Sequence, residues 1–274
     1  MLKILITGSN GMVGRNIAEH ENSKNFEILT PTSKELNLLD RQNVDNYLKD
    51  NTPDIVIHCA GIVGGIQANM ANPVRFLVDN TQMGLNIIMG SKDANIKQFI
   101  NMSSSCMYPR EAINPLGEDL ILKGELEPTN EGYALSKITS TRLCEYINKE
   151  NNSFIYKTVI PCNLYGKYDK FDPKHSHMLP AVIKKIHEAK ISNQDTLDIW
   201  GDGEARREFM YAHDLADFIY YALENFTKMP QNINVGLGTD YTINEYYKAI
   251  ANVIGYKGEF IHDLSKPVGM KQKL

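Results

Sequence analysis

The chain has 274 residues, 42% hydrophobic and 23% charged, proportions typical of a folded globular protein that exclude a disordered or collagen-like polymer. Its 29 basic and 33 acidic residues give a formal charge of −4 with no concentrated basic face, so nucleic acid is not an expected partner. Four widely spaced cysteines without a CxxC pair, no secretory leader and no apolar run of ~20 residues predict a cytoplasmic protein with reduced thiols and no membrane partner.

The first part of the chain alternates apolar strands with helices. Apolar runs predict buried parallel strands at residues 3–7, 26–29, 54–59, 97–102 and 155–160. Helices are expected at residues 12–19, 73–94 and 133–150. This order predicts an α/β fold with a doubly wound, Rossmann-type parallel sheet, and we assign residues 1–160 to a dinucleotide-binding domain.

The pattern is looser after Pro161. A helix is expected at residues 179–189 and a short strand at 196–200, which ends at Gly201-Asp202-Gly203. A further strand at residues 233–236 is compatible with either part of the protein. We therefore expect residues 161–274 to form a smaller C-terminal substrate-binding region, partly interleaved with the first domain.

Three glycines lie between the first strand and the first helix, where a dinucleotide-binding fold needs them. Such glycines allow a tight turn, close approach of a pyrophosphate to the backbone and close packing of helix on strand. The helix N-terminus adds unpaired N–H groups that attract an anion. The loop is predicted to bind the cofactor through Gly8, Ser9, Asn10, Gly11, Met12, Val13 and Gly14.

The residues after the second strand predict which dinucleotide binds. An acid at this place accepts from the ribose hydroxyls of NAD, whereas a cation or hydroxyl group suits the 2′-phosphate of NADP. Thr30-Pro31-Thr32 is followed by Ser33 and Lys34, so NADP(H) is the predicted cofactor. The alternative is that Lys34 is a solvated surface charge. Asp40 is a candidate for contact with the adenine amino group.

Tyr133 and Lys137 are four residues apart in a predicted helix and therefore project from one face. A phenol has a reference pKa of about 10, and a neighbouring ammonium stabilises the phenolate. The pair is therefore predicted to carry out acid–base chemistry, although the same spacing also occurs on ordinary helix faces.

Hydroxyl groups follow the predicted strand at 97–102, in Ser103-Ser104-Ser105-Cys106. Ligands of open parallel sheets bind beyond the carboxyl ends of the strands. Together with the glycine loop and Y-x-x-x-K, this arrangement resembles the extended short-chain dehydrogenase/reductase family, whose members act on nucleotide sugars. The resemblance implies that Ser104, Tyr133 and Lys137 form the hydride-transfer triad.

Further motifs narrow the resemblance to the GDP-L-fucose synthases within that family. They span nearly the whole chain and comprise Ile6 to Gly14, Cys59 to Ile66, Ser104 to Pro109, Glu127 to Glu131, Asn163 to Gly166, Ser176-His177 and Arg207-Glu208-Phe209. This resemblance implies NADPH-dependent 4-reduction of a GDP-4-keto-6-deoxy sugar, with 3,5-epimerisation, and a homodimer formed through two helices.

Cys106 and His177 are the candidates for the epimerisation. A ketone at C4 acidifies the hydrogens at C3 and C5, so a thiolate on one face of the ring and an imidazole on the other can remove and return a proton. The alternatives are a thiol that only packs in the core and an ordinary loop histidine. His175 and His177 have no third ligand at a suitable spacing, so no metal is expected.

The resemblance also implies further binding residues. Cofactor contacts are expected from Lys137 and from Ala60, Pro161, Asn163, Leu164 and His177. Substrate contacts are expected from Asn163, from Lys185 and Arg207 on the phosphates, and from Trp200 against the nucleotide.

The chain departs from the family pattern at several positions. Lys266-Pro267-Val268-Gly269 has a valine where the family usually has an aspartate, and the chain stops at Leu274, which leaves a truncated substrate region as one possibility. Asn10 and Ser33 stand where some relatives have basic residues. Three hypotheses therefore stay open: an epimerase/reductase, a C4 reductase acting on a GDP-4-keto-6-deoxy-heptose, and a non-catalytic nucleotide-binding protein.

Overall fold

A computed structural model describes residues 1–172, 176–266 and 270–274 of the chain. Its strands are β1 (Lys3–Thr7), β2 (Glu27–Leu29), β3 (Ile55–His58), β4 (Gln98–Met102), β5 (Ile155–Pro161), β6 (Asn163–Tyr165), β7 (Thr196–Trp200), β8 (Arg206–Arg207), β9 (Phe209–Tyr211), β10 (Asn232–Val235), β11 (Tyr241–Thr242), β12 (Glu259–Asp263) and β13 (Gln272–Lys273). Its helices are α1 (Met12–Ala18), α2 (Arg41–Asn51), α3 (Ile66–Ala71), α4 (Pro73–Asp93), α5 (Glu131–Glu150), α6 (Met178–Ile191), α7 (Ala212–Glu224) and α8 (Ile243–Ile254). Short 3₁₀ turns connect several of them.

The central sheet has six parallel strands in the order β10-β5-β4-β3-β1-β2. All four residues of β3 are buried, as expected of a strand covered on both faces. One apolar core lies between the sheet and the helices α1 and α7, and a second lies between the sheet and α2, α4 and α5. The predicted α/β, doubly wound fold is confirmed.

Predicted and observed boundaries differ by one or two residues for most elements. The strand expected at 233–236 is β10, which pairs with β5 and completes the central sheet. Four helices had not been predicted, namely α2, α3, α7 and α8. Of these, α8 had a recognisable start, because Thr242 and Glu245 form a capping box, and a recognisable end at Gly255 in the left-handed conformation.

The residues outside the central sheet form a smaller layer. Strands β7 and β12 pair in parallel, and α6 and α8 pack with them around a separate apolar core. A three-stranded sheet in the order β11-β8-β13 lies beside it, and β6 pairs with β9. In the part of the chain that the structure describes, no helix combines the length and apolarity needed to cross a membrane.

Candidate active site

The turn after β1 brings the backbone of the glycine loop close to β3. Gly8 has a φ of +71°, and a Cβ there would lie 2.7 Å from the Cα of Ala60. A Cβ on Gly14 would lie 2.5 Å from the carbonyl oxygen of Gly8, so α1 packs tightly against the turn. Side chains are excluded at both positions, which leaves the concave backbone surface that close approach of a pyrophosphate requires.

Polar groups of the loop are left without protein partners. The Oγ atom of Ser9 is buried and has no hydrogen-bond partner in the described part of the chain. Gly11 is the N-cap of α1 and offers no side-chain cap to the first N–H groups of the helix. Buried polar groups are normally paired, so the loop has unsatisfied hydrogen-bonding capacity that a bound phosphate fits.

The segment after β2 is ordered by a residue that sequence reasoning did not consider. Glu35 accepts hydrogen bonds from the Thr32 backbone N–H at 2.7 Å and from the Thr32 hydroxyl at 2.8 Å. The carboxylate is thus committed to its own loop, while Ser33 and Lys34 are exposed. Asp40 is the N-cap of α2 and accepts from the Asn43 backbone N–H at 3.2 Å, a structural role that the sequence had not suggested.

The tyrosine–lysine pair lies at the start of α5 beside the carboxyl end of β4. The Lys137 ammonium is buried, donates to the Met102 carbonyl oxygen at 3.0 Å and lies 5.7 Å from the centre of the Tyr133 ring. Burial lowers the pKa of Lys137, and burial together with the nearby Cys106 raises the pKa of Tyr133. The phenol therefore stays protonated. The sequence predicts a pKa shift toward neutral pH, and burial, which the spacing does not reveal, gives the opposite direction.

Ser104 and Cys106 follow β4 on a short 3₁₀ turn. The Ser104 hydroxyl accepts a hydrogen bond from the Cys106 backbone N–H at 3.4 Å, so the serine caps the turn that carries the thiol. Cys106 is 4% exposed and packs in an apolar cluster that also includes Tyr133. The structure thus brings three of the predicted catalytic residues, Ser104, Cys106 and Tyr133, to one place.

The Cys106 thiol has an unusual electrostatic environment. Burial raises its pKa, whereas Lys273, the Ser104 hydroxyl and Lys137 act in the opposite direction. Lys273 lies on β13 at the end of the chain, and sequence reasoning had not singled it out. It comes from a two-residue strand with no motif around it, so only tertiary structure reveals it.

His177 is the N-cap residue of α6 and is solvent-accessible. Neighbouring protein atoms lower its pKa by desolvation, and Asp169 acts in the opposite direction. Burial raises the pKa of Asp169, whose buried Oδ2 atom has no hydrogen-bond partner among the described residues. Lys273 also lowers the pKa of His177, so the same ammonium interacts with both epimerisation candidates.

The Arg-Glu-Phe segment joins β8 to β9 and holds two candidate binding residues. Arg207 donates to the Arg206 carbonyl oxygen at 2.7 Å, and burial lowers its pKa while Glu127 raises it. The Asn163 amide donates to the Glu208 carbonyl oxygen at 2.9 Å. Glu208 itself is buried, and its carboxylate accepts from the backbone N–H groups of Leu237 and Gly238.

Lys185 and Trp200 lie together on the smaller layer. Lys185 forms an ion pair with Asp198 at 2.7 Å, so its ammonium already has a protein partner. Trp200, at the end of β7, is 41% exposed, and the Lys266 ammonium lies 5.7 Å from the centre of its ring. An exposed indole face of this kind can stack on a base.

Two positions discussed above, His175 and Val268, lie outside the described residues. Among the described residues, a group of three potential metal ligands comprises His20, His213 and Asp217. The Asn22 backbone N–H donates to His20 Nδ1 at 3.1 Å, so the ring proton is on Nε2, which lies 2.8 Å from the Asp217 carboxylate. That tautomer has no lone pair facing the group, which favours a structural hydrogen bond between the turn after α1 and helix α7.

A parallel six-stranded sheet, a glycine loop after its first strand and a tyrosine–lysine pair beside its fourth define a Rossmann-type, dinucleotide-dependent oxidoreductase. The chain belongs to the NAD dependent epimerase/dehydratase family, whose model matches residues 4–236.

Relatives within this family are similar over nearly the whole of this chain. The chain is 64% identical to the GDP-L-colitose synthase of Yersinia pseudotuberculosis over 273 residues, which are 100% of this chain and 89% of that protein. It is 51% identical to the GDP-L-fucose synthase of Azorhizobium caulinodans, over 99% of this chain and 87% of the relative. A GDP-mannoheptose C4 reductase from Campylobacter jejuni, solved with NADP bound, is 30% identical with a TM-score of 0.88 and covers 100% of this chain and 89% of that one.

Proposed function

We propose that this protein is an NADPH-dependent enzyme that reduces C4 of a GDP-4-keto-6-deoxy sugar and inverts a neighbouring carbon before the reduction. The proposal rests on one observation: groups suited to carbonyl reduction and a group suited to proton transfer lie close together. The Tyr133–Lys137 pair suits carbonyl reduction, and the Cys106 thiol, which interacts electrostatically with Tyr133, suits proton transfer at carbon. The relatives that act on GDP-sugars support the choice of substrate class.

The glycine loop, with its open backbone surface and the unpaired Ser9 hydroxyl, fits the diphosphate of NADP. The exposed Lys34 ammonium fits the 2′-phosphate, since Glu35 is engaged with Thr32 and does not compete for it. When bound, NADPH supplies a hydride for C4. The further cofactor contacts assigned to Ala60, Pro161, Leu164 and His177 stay part of the proposal.

Reduction at C4 needs a proton on the carbonyl oxygen. Tyr133 is the proton donor, because its raised pKa keeps the phenol protonated at neutral pH. The Ser104 hydroxyl donates a hydrogen bond to the same oxygen and polarises the carbonyl. Lys137 is held by the Met102 carbonyl and contributes positive charge beside the phenolate that forms when the proton has left.

Epimerisation uses the same ketone as an electron sink. Cys106 and His177 act from opposite faces of the ring, one as base and the other as acid. The base takes the proton at the carbon next to C4, the C–H electron pair moves into the enolate, and the acid returns a proton on the other face. Hydrogen bonds from Ser104 and Tyr133 stabilise the enolate oxygen.

Two products are compatible with these steps. L-Colitose is L-fucose without the C3 hydroxyl, so a colitose-type substrate requires inversion at C5 only, whereas a fucose-type substrate requires inversion at C3 and C5. The 64% identical relative favours the colitose-type substrate. The second candidate function, C4 reduction alone on a GDP-4-keto-6-deoxy-heptose, is favoured by the heptose reductase with the same fold.

One experiment separates these functions. The protein is incubated in heavy water with NADPH and, in turn, GDP-4-keto-6-deoxy-mannose, its 3-deoxy analogue and the corresponding heptose, and the products are analysed by NMR. An epimerase/reductase incorporates deuterium at C5, or at C3 and C5, whereas a reductase consumes NADPH without incorporation. Loss of incorporation in Cys106→Ala shows that the thiol takes part in the proton transfer. Cofactor binding without turnover of any substrate supports the non-catalytic alternative.

The sugar nucleotide is proposed to bind between the central sheet and residues 161–274. Asn163 lies on β6 and is bonded to the residue that follows Arg207, and the two side chains suit the sugar and the diphosphate. Trp200 suits the guanine, and Lys185 reaches the phosphates by exchanging its Asp198 partner for them. The proposed division at residue 160 refers to the ligand that each part binds. It is not a division into separate folding units, because α7 packs on the central sheet and β10 pairs within it.

We further propose a cytoplasmic homodimer. The structure has four free cysteines, as suits a reducing compartment. The outer faces of the packed helices α4 and α5 expose apolar side chains, namely Val74, Val78, Leu135 and Tyr146. An isologous pairing of these helices would cover them. Light scattering of Val78→Asp, with Val253→Asp on α8 as the control, tests this interface.

A further inference from the structure

Lys273 is fixed in place by backbone contacts on both sides. Strand β13 runs parallel to β8, with Lys273 in register with Arg207. The next residue, Leu274, donates its backbone N–H to the Asn114 side chain at 2.7 Å and accepts from the Leu116 N–H at 2.8 Å. Since Leu116 packs in the same apolar cluster as Cys106, the end of the chain is held against the wall that carries the thiol.

Contacts on the other side of β13 add to this attachment. The Gln272 side chain donates to the Asp240 carboxylate at 2.7 Å, and Asp240 forms an ion pair with Arg206 at the same distance. The Arg206 backbone N–H donates to the Lys271 carbonyl oxygen at 2.8 Å. The position of Lys273 is therefore set by the backbone and by its neighbours, not by its own side chain.

The Lys273 ammonium has no hydrogen bond or ion pair with any of the residues described here, although burial lowers its pKa. Lys273 is half-buried, and charged groups that are partly removed from water are normally paired. It interacts electrostatically with groups from five separate segments, namely Cys106, Cys162, Arg207, Glu127 and His177. The other groups that face the Cys106 thiol are Lys137, Tyr133 and Ser104.

We propose that Lys273 is the positioning residue for the Cys106 thiolate: its unpaired ammonium stabilises the deprotonated thiol that epimerisation requires. A cation at this place opposes the effect of burial, which alone would leave the thiol protonated and inert. Lys137 cannot take over this role fully, because it is held by the Met102 carbonyl beside Tyr133. The inference rests on the proposed epimerisation.

Binding of the diphosphate is the competing role for Lys273, because Arg207 is its neighbour in the sheet. Replacing Lys273 is expected to change different measured quantities in the two cases. A phosphate contact affects the KM for the GDP-sugar and leaves the thiol pKa unchanged. A partner of the thiolate affects the thiol pKa and the rate of proton exchange, with a smaller effect on KM.

The test is a spectroscopic pH titration of the thiolate, measured as the difference in ultraviolet absorbance between a protein and its Cys106→Ser counterpart. Lys273→Met is expected to raise the titration midpoint by about one unit or more, since an opposite charge at close range shifts a pKa by that amount. Lys273→Arg is expected to restore the midpoint, and Lys271→Met, an exposed neighbour in the same segment, to leave it unchanged. Circular dichroism checks folding, and Lys273→Gln replaces Lys273→Met if the latter does not fold.

Deuterium incorporation from heavy water into the GDP-keto sugar is the second readout. Lys273→Met is expected to slow incorporation at neutral pH about tenfold, while the KM for the sugar nucleotide changes less. An unchanged thiol midpoint in folded Lys273→Met, or a rise in KM with unchanged incorporation, would overturn the proposal. If the wild-type protein reduces the sugar without any incorporation, the proposed epimerisation fails, and the titration still decides whether Lys273 acts on the thiol.

Discussion

Lys137 lies one helical turn from Tyr133 on α5, with its ammonium 5.7 Å from the centre of the phenol ring. Burial pushes both groups toward their uncharged forms, since it raises the pKa of Tyr133 and lowers that of Lys137. A protonated phenol is the acid that carbonyl reduction needs. In the proposed mechanism, the pair is therefore prepared for the reductive direction before any cofactor or sugar is bound.

Replacing Tyr133 by phenylalanine removes this acid and leaves the glycine loop intact. Reduction is expected to slow by ~10²–10⁴-fold, the usual contribution of a positioned general acid, while NADPH affinity is unchanged. NADPH absorbance gives the rate, and fluorescence titration gives the affinity. Tyr146→Phe, on the exposed side of the same helix, is the matched control. Turnover of Tyr133→Phe at the wild-type rate would contradict the mechanism.

Lys34 is predicted to select NADPH over NADH through the 2′-phosphate. Lys34→Glu reverses the charge on an exposed loop and is expected to reduce kcat/KM for NADPH at least tenfold, about 1.4 kcal/mol, with little loss for NADH. Lys24→Glu, another exposed lysine of the same domain, is the control. If the ratio of kcat/KM for NADPH to kcat/KM for NADH is the same in Lys34→Glu and in the wild type, Lys34 is a solvated surface residue without a role in cofactor selection.

Asp169 interacts with His177 and raises its pKa. Imidazolium, the proton-donating form, is present below this pKa and is lost as the pH rises through it. Asp169→Asn removes the attraction, so the His177 pKa falls and the alkaline limb of the proton-exchange profile moves to lower pH. We expect a shift on the order of one unit, measured as deuterium incorporation against pH.

Asp50→Asn, an exposed residue of α2, controls for the change in net charge. If the alkaline limb stays in place in Asp169→Asn, either the carboxylate does not act on His177 or the histidine is not the acid. His177→Asn distinguishes these two explanations. It abolishes the alkaline limb if His177 is the acid and leaves the limb in place if another group is the acid.

The features that the sequence predicted are local ones. The strands of the central sheet are continuous apolar runs such as Ile55–His58, whose burial on both faces needs no knowledge of distant residues. The Tyr133–Lys137 pair follows from four-residue spacing on one helix. The start of α8 is local as well, since the capping box formed by Thr242 and Glu245 has a recognisable sequence pattern.

Residues that depend on distant partners were not predictable in this way. Lys273 reaches Cys106 only because a two-residue strand pairs with β8, a segment more than sixty residues earlier. The net direction of the Tyr133 pKa was misjudged for a similar reason: the spacing reveals the lysine but not the burial that opposes it. Motifs in the sequence therefore predict local pairs of residues, whereas burial and contacts between distant segments require the tertiary structure.

Glu208 connects the strand segment β8–β9 to the loop after β10. It is 5% exposed, its carboxylate accepts from the Leu237 and Gly238 backbone N–H groups, and its own carbonyl accepts from Asn163. A Cβ on Gly236 would lie 2.5 Å from the carboxylate, so the loop packs directly on it.

Both N–H groups donate to one carboxylate oxygen, Oε1, which Glu208→Gln keeps as an amide oxygen while the negative charge is lost. The loss of the charge-assisted hydrogen bonds is expected to reduce the free energy of unfolding by ~1–3 kcal/mol. The Tm should fall by about 2–4 °C for each kcal/mol. Thermal denaturation followed by circular dichroism measures it, with the exposed Glu224→Gln as the control. An unchanged Tm would show that the loop is held by other contacts.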